Sequence, residues 1–169
     1  RGDWFDLDAG RLRLGEYAAR WIDERPLAAS TVARYKIALR VQIESTLGQL
    51  DLVDVTPERV RRWRSELLAS GAGRASVAKA YRLLKTILAT AVEDELLTRN
   101  PCVVKGAGVE RSPERPIATI EQVYALAEAI DPCFRALVLT ATFTGLRLGE
   151  LRALRQSNLD LLHATVRVV

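Results

Sequence analysis

The 169-residue chain has no methionine, one histidine (His163), two cysteines (Cys102 and Cys133) and only 6% aromatic residues. Each scarcity removes a class of chemistry. A single histidine speaks against a His-rich metal site and against a Ser-His-Asp triad made wholly within this chain. Two cysteines cannot build a disulfide scaffold or a Cys-based metal cluster. They read as reduced, inert small hydrophobes, which suits a cytoplasmic protein. No apolar run approaches the ~20 residues of a membrane span. Position 1 is not methionine: the chain opens on Arg1-Gly2-Asp3-Trp4 and closes on the strand-like Thr165-Val166-Arg167-Val168-Val169, with no partner strand after it. The expectation is a piece of a longer protein.

What is present supports a real core. Hydrophobic residues make up 49% and charged residues 27%, enough for one ordinary domain or two small ones and too apolar for a disordered chain. The net charge of +4 is unevenly spread. Residues 30–85 hold eleven basic and five acidic residues, +6, whereas 1–29, 86–116 and 117–169 come to −1, −1 and 0. A solvated basic face would explain such a block; so would a nucleic-acid surface.

Helical periodicity dominates the first hundred residues. Leu14, Tyr17, Ala18, Trp21 and Ile22 form one apolar stripe, with Pro26 just beyond it. A second helix is expected from Ser30 or Thr31, as N-cap, to about Glu44, with Val32, Tyr35, Leu39 and Ile43 inward. Thr56-Pro57 is an N-cap followed by proline at the first helical position, opening a helix with Val60, Trp63 and Leu67 on one side. A fourth, from about Ala75 to Leu96, turns Val77, Tyr81, Leu84, Leu88 and Ala91 inward. Four apolar stripes must bury one another, so residues 1–97 read as a helical domain.

Residues 98–116 carry three of the six prolines and no period, a linker signature. Structure resumes at Thr119, whose spacing to Gln122 is that of a capping box, with Val123, Leu126, Ala127 and Ile130 inward. The nearly all-apolar run Phe134–Phe143 predicts a helix buried on most sides, ended by Gly145. A short helix from Arg147 to Leu154, held down by Leu148, Leu151 and Leu154, precedes a turn at Ser157-Asn158 and one strand.

The chemistry concentrates in Thr144-Gly145-Leu146-Arg147-Leu148-Gly149-Glu150-Leu151. A guanidinium at the start of a helix, beside unpaired backbone N–H groups, can grip a phosphate oxygen. Glu150, one turn on, can orient it. The same spacing also describes an ordinary helix-capping Arg–Glu pair.

The segment resembles the first catalytic box of the tyrosine recombinases, the phage-integrase family. Gly15-Glu16-Tyr17-Ala18-Ala19-Arg20-Trp21 and Ser30-Thr31-Val32-Ala33-Arg34-Tyr35 resemble the first two helices of that family's core-binding domain. Ala75-Ser76-Val77-Ala78-Lys79-Ala80-Tyr81-Arg82-Leu83-Leu84 and Ala91-Val92-Glu93-Asp94-Glu95-Leu96-Leu97-Thr98-Arg99-Asn100-Pro101 resemble its last helix and exit. The opening Gly2–Arg11 resembles a junction to an upstream arm-site-binding domain.

The resemblance implies a mainly α chain: a four-helix SAM-like core-binding domain over 1–97, a linker over 98–116, and the first part of an α+β catalytic domain over 117–169, beginning with helices and one strand. It implies that Arg147 contacts the scissile phosphate and Glu150 supports it structurally. The intact enzyme would cut and rejoin duplex DNA through a 3′-phosphotyrosyl intermediate, self-associating on DNA as a tetramer, with no metal, nucleotide or other cofactor. Ser30, Thr31 and Arg34 at one helix start, and Arg74, Ser76, Lys79 and Arg82 at another, are the expected backbone contacts.

The family's later machinery is a lysine on a β-hairpin, a His-x-x-Arg box, a second His or Trp and a late tyrosine. His163-Ala164-Thr165-Val166 lacks the arginine of that box, Gln156 stands where relatives often carry tryptophan, and Tyr17, Tyr35, Tyr81 and Tyr124 all precede Arg147. The chain by itself is therefore expected to be inactive. The competing reading from the residues is a non-enzymatic helical DNA-binding regulator in which Arg147 is structural.

Overall fold

The computed structural model describes residues 11–110, 114–160 and 162–168. The expected junction in Gly2–Gly10, along with Pro113 and Val169, lies outside the described residues. The chain divides into two compact units, 1–113 and 114–169. It is mainly helical, as the periodicities require.

In the first unit α1 spans Leu14–Asp23, α2 Ala29–Ala38, α3 Pro57–Ala69 and α4 Arg74–Glu93. All five residues of the α1 stripe are buried, as are Val60 and Trp63 of α3 and the five stripe residues of α4. Each fully buried aliphatic or aromatic side chain contributes roughly 1.5–3 kcal/mol of transfer free energy. The core also takes Leu39, Ile43, Leu47, Leu52 and Val55 from the connection between α2 and α3.

Thr56 caps α3 by accepting from the Arg59 N–H. Neither Ser30 nor Thr31 caps α2: it begins at Ala29, after Ala28, and the Thr31 N–H already donates to the Ala28 carbonyl. The alanines are strong helix formers and carry the helix back toward Leu27. A π turn, Leu39–Ile43, continues α2. It brings Gln42 inward, where its carbonyl accepts from the buried Trp63 indole N–H and its side-chain amide donates to Ser76 Oγ at 2.6 Å.

At its far end α4 stops at Glu93 rather than Leu96. Glu95 adopts φ 60°, and the N–H groups of Leu96 and Leu97 both turn back to the Ala91 carbonyl. A left-handed residue after the helix end satisfies the last carbonyls, a role glycine usually signals and here does not.

The aperiodic stretch after α4 is only partly open. Asn100 donates from Nδ2 to the Lys85 carbonyl, Tyr81 Oη accepts from the Val104 N–H at 2.8 Å, and Cys102 and Ala107 are buried. Residues 100–110 thus form a strap seated along α4, and the division between compact units falls after it, at 113/114.

In the second unit α5 spans Ile120–Ala129, α6 Pro132–Thr144 and α7 Leu148–Ala153. Thr119 and Gln122 form the expected reciprocal capping box. Two short antiparallel strands follow, β1 Leu159–Asp160 and β2 Thr165–Val166, with Leu159 opposite Val166 and Asp160 opposite Thr165. The expected single strand therefore has a partner, and it lies before it in sequence.

Burial here is lower than the apolar pattern predicts. Val123, Ala127 and Leu151 are buried, but Leu126 and Leu148 are exposed. α6 has no buried residue, and its ends, Phe134 and Phe143, are 49% and 58% exposed. Within its unit α6 packs mainly on α5 and α7, and none of its residues is buried. Among the described residues no helix is long and apolar enough to cross a membrane.

Candidate functional site

Two places carry the expected functional side chains, one in each unit. In the first, α2 and α4 flank a groove of about 430 Å³ lined by Arg34, Tyr35, Ala38, Lys79, Arg82, Leu83 and Thr86. Helical spacing explains the grouping: Lys79, Arg82 and Thr86 lie three to four residues apart on one face of α4. Arg34 comes from the facing helix, and its guanidinium donates to Thr31 Oγ1 at 3.4 Å. Three cations from two helices therefore share one concave wall with a tyrosine and short apolar side chains.

The other expected contacts sit at the helix starts rather than in the groove. Ser30 lies in the first turn of α2, Arg74 and Ser76 in the first turn of α4. The Ser76 hydroxyl is already engaged by Gln42. Elsewhere in the basic block, Lys36 pairs with Asp23 at 2.7 Å and Arg62 with Glu58 at 3.0 Å.

One residue of this site carried no signal in the sequence. Glu110, from the strap, pairs with both Arg82 and Lys79, the latter at 3.7 Å. It belongs to an aperiodic segment, so nothing local in its pattern ties it to α4.

The second place is the turn between α6 and α7. Gly145 is left-handed at φ 66° and ends α6, a conformation that glycine adopts without a Cβ penalty. Arg147 is then extended and stands just before α7. Glu150 reaches back: Oε2 accepts the Arg147 backbone N–H at 2.8 Å and Oε1 accepts from the guanidinium at 3.2 Å. The backbone N–H, then the guanidinium, holds the Glu150 carboxyl below the usual carboxylate range.

The Arg147 side chain is 87% exposed. Its own N–H is taken by Glu150 and that of Leu146 by Thr144 Oγ1. Any grip on an oxyanion here rests on the guanidinium, not on these two backbone groups.

The tyrosines are otherwise occupied. Tyr17 donates to Asp94 at 2.7 Å, Tyr81 bonds the strap at Val104, and Tyr35 and Tyr124 pack against Trp21 and Phe143. His163 pairs with Asp160 across the β1–β2 turn at 2.7 Å.

The sequence is similar to those of known proteins. A prophage phiRv2 integrase of Mycobacterium tuberculosis is 36% identical over 157 residues, covering 91% of this chain and 41% of the relative. A XerC-like tyrosine recombinase of Caldanaerobacter subterraneus is 26% identical over 174 residues, covering 96% of this chain and 44% of the relative. Over nine tenths of its length the chain is similar to proteins named integrase and tyrosine recombinase. It spans less than half the length of these curated relatives. No family model matches it.

The fold of the chain agrees with that of the Tn1549 transposon integrase, whose structure was solved in complex with circular intermediate DNA. The TM-score is 0.79 at 19% identity, over 94% of this chain and 54% of that one.

Proposed function

We propose that the chain is the DNA-gripping portion of a site-specific recombinase that cuts and rejoins duplex DNA. The observation that carries this reading is the convergence of Arg34, Lys79 and Arg82 on one groove. Cations fixed on helices, with a tyrosine beside them, fit the phosphate backbone of a duplex rather than its base edges. Ser30, Thr31, Arg74 and Ser76 flank that grip at the helix starts. Arg147 supplies the guanidinium for the scissile phosphate, held by Glu150, and would stabilise charge developing on the phosphoryl oxygens.

In the intact enzyme a tyrosine attacks that phosphate, the 5′-oxygen leaves, and a 3′-phosphotyrosyl bond conserves the phosphodiester energy without metal or nucleotide. Tyr17, Tyr35, Tyr81 and Tyr124 serve packing and hydrogen bonding. The nucleophile therefore comes from outside these 169 residues, and the chain alone forms no covalent adduct. Self-association on DNA would bring the copies needed for strand exchange.

Titration of duplex binding against salt tests the reading. Neutralising about four to six phosphates gives a log–log slope of roughly −4 to −5. Arg34→Ala should weaken binding and flatten that slope by about one. A salt-independent affinity, or none at low salt, overturns it.

A further inference from the structure

The acid that lies on the groove is part of a built structure. The strap 100–110 is anchored at three levels along α4. Asn100 bonds the Lys85 carbonyl and, through Oδ1, the Cys102 N–H; Val104 bonds Tyr81; and Ala107 is buried. Gly108 then passes so close that a Cβ there would lie 2.9 Å from Arg82 Cγ. These anchors deliver Glu110, its side chain 32% exposed, onto Lys79 and Arg82.

A carboxylate held by a guanidinium and an ammonium offers them what a phosphodiester oxygen offers: an anionic acceptor at ion-pairing distance. Two of the three groove cations are thus already matched by an acid of the same chain.

We propose that Glu110 is an internal competitor for the DNA backbone, occupying Lys79 and Arg82 until a phosphate displaces it. The inference rests on the reading of the α2–α4 groove as a DNA grip. A phosphate arriving at Arg82 meets the Glu110 charge, and binding then includes the loss of two ion pairs. Affinity is set by the strap as well as by the helices. Release of Glu110 also frees the far end of the strap from two cations of α4.

A thermodynamic cycle on the whole chain, read by anisotropy of a labelled duplex at low salt, tests this. Glu110→Gln removes the charge and keeps the side-chain size. It should tighten binding by about three- to tenfold and steepen the salt slope by about one. Glu110→Ala should do the same. In a Lys79→Ala/Arg82→Ala background, Glu110→Gln should change affinity by less than about twofold, because its partners are gone.

An equal gain in both backgrounds would show a general charge effect and overturn the competitor. So would weaker binding by Glu110→Gln, which would make Glu110 an organiser of the cations that stays in place on DNA. Should Lys79→Ala/Arg82→Ala leave affinity unchanged, the groove is not the DNA grip, and the reading beneath the inference fails with it.

Discussion

The two units of this chain differ in how far their helices are covered: α5 and α6 of the second are more apolar on average than α1 to α4 of the first, yet contribute fewer buried residues. In the first, α1, α3 and α4 bury their stripes on one another and on the turns between α2 and α3. The core includes residues with no exposed surface at all, such as Leu14, Ile22, Leu84 and Leu88. In the second, α6 is nearly all apolar yet has no buried residue, and among the described residues only Val123, Ala127 and Leu151 of that unit are buried. An apolar helix is therefore no measure of a core. Burial depends on how many neighbours cover a helix, and within its unit α6 packs mainly on α5 and α7. The cysteines record the same contrast. Cys102 is buried, its thiol pushed up to about 12 by desolvation, whereas Cys133 is exposed and raised mainly by its hydrogen bond to Asp131.

The comparison is sharpened most by the same substitution in both units. Leu84→Ala, at a site with no exposed surface, should cost about 4–5 kcal/mol; Leu151→Ala, at 9% exposure, about 2 kcal/mol. Urea unfolding followed by tryptophan emission reads the first unit alone, since all three tryptophans lie within 1–113. Circular dichroism reads both units. Equal costs would break the contrast.

Thiol labelling under native conditions should separate the cysteines next. Cys133 should react about a hundredfold or more faster than Cys102, which needs local opening of the strap. Comparable rates would show that the strap does not protect Cys102.

The smallest effect concerns Tyr17, whose phenol is held above its ordinary value of ~10 by burial and then by the bond to Asp94. A raised folded pKa means the stabilisation is intact below ~10 and is lost as pH rises, because the unfolded chain releases its proton first. Tyr17→Phe should cost about 1 kcal/mol at neutral pH and make the alkaline decline in the urea midpoint shallower. An unaltered decline would show that Tyr17 does not contribute to it.

Much of this architecture is legible in the pattern of residues. Thr56-Pro57 and Thr119 with Gln122 mark helix starts because a hydroxyl acceptor three residues before an unpaired N–H is a local device. The stripes of α1 and α4 predict their buried residues because helical period and burial coincide where many helices meet. Gly145 marks the turn before Arg147 because its left-handed backbone is a local demand. Arg34, Lys79 and Arg82 could be named individually for the same reason. The pattern is less informative where an ordinary residue takes a special place, as Glu95 does at φ 60°, or where alanines extend α2 past its expected cap.

Residue order alone determined where the helices lie, the caps of α3 and α5, the basic block and the similarity to the tyrosine recombinases. Tertiary structure alone decided three further features. It brought Arg34 across from α2 to the α4 cations. It seated residues 100–110 along α4, where prolines and glycines predicted a linker, and it set Glu110 on Lys79 and Arg82. The reason is physical. Caps and stripes depend on residues within about a turn of one another, which a linear pattern records. An ion pair between residues 28 apart, such as Arg82 with Glu110, exists only after Cys102 and Ala107 are buried and Tyr81 has bonded Val104.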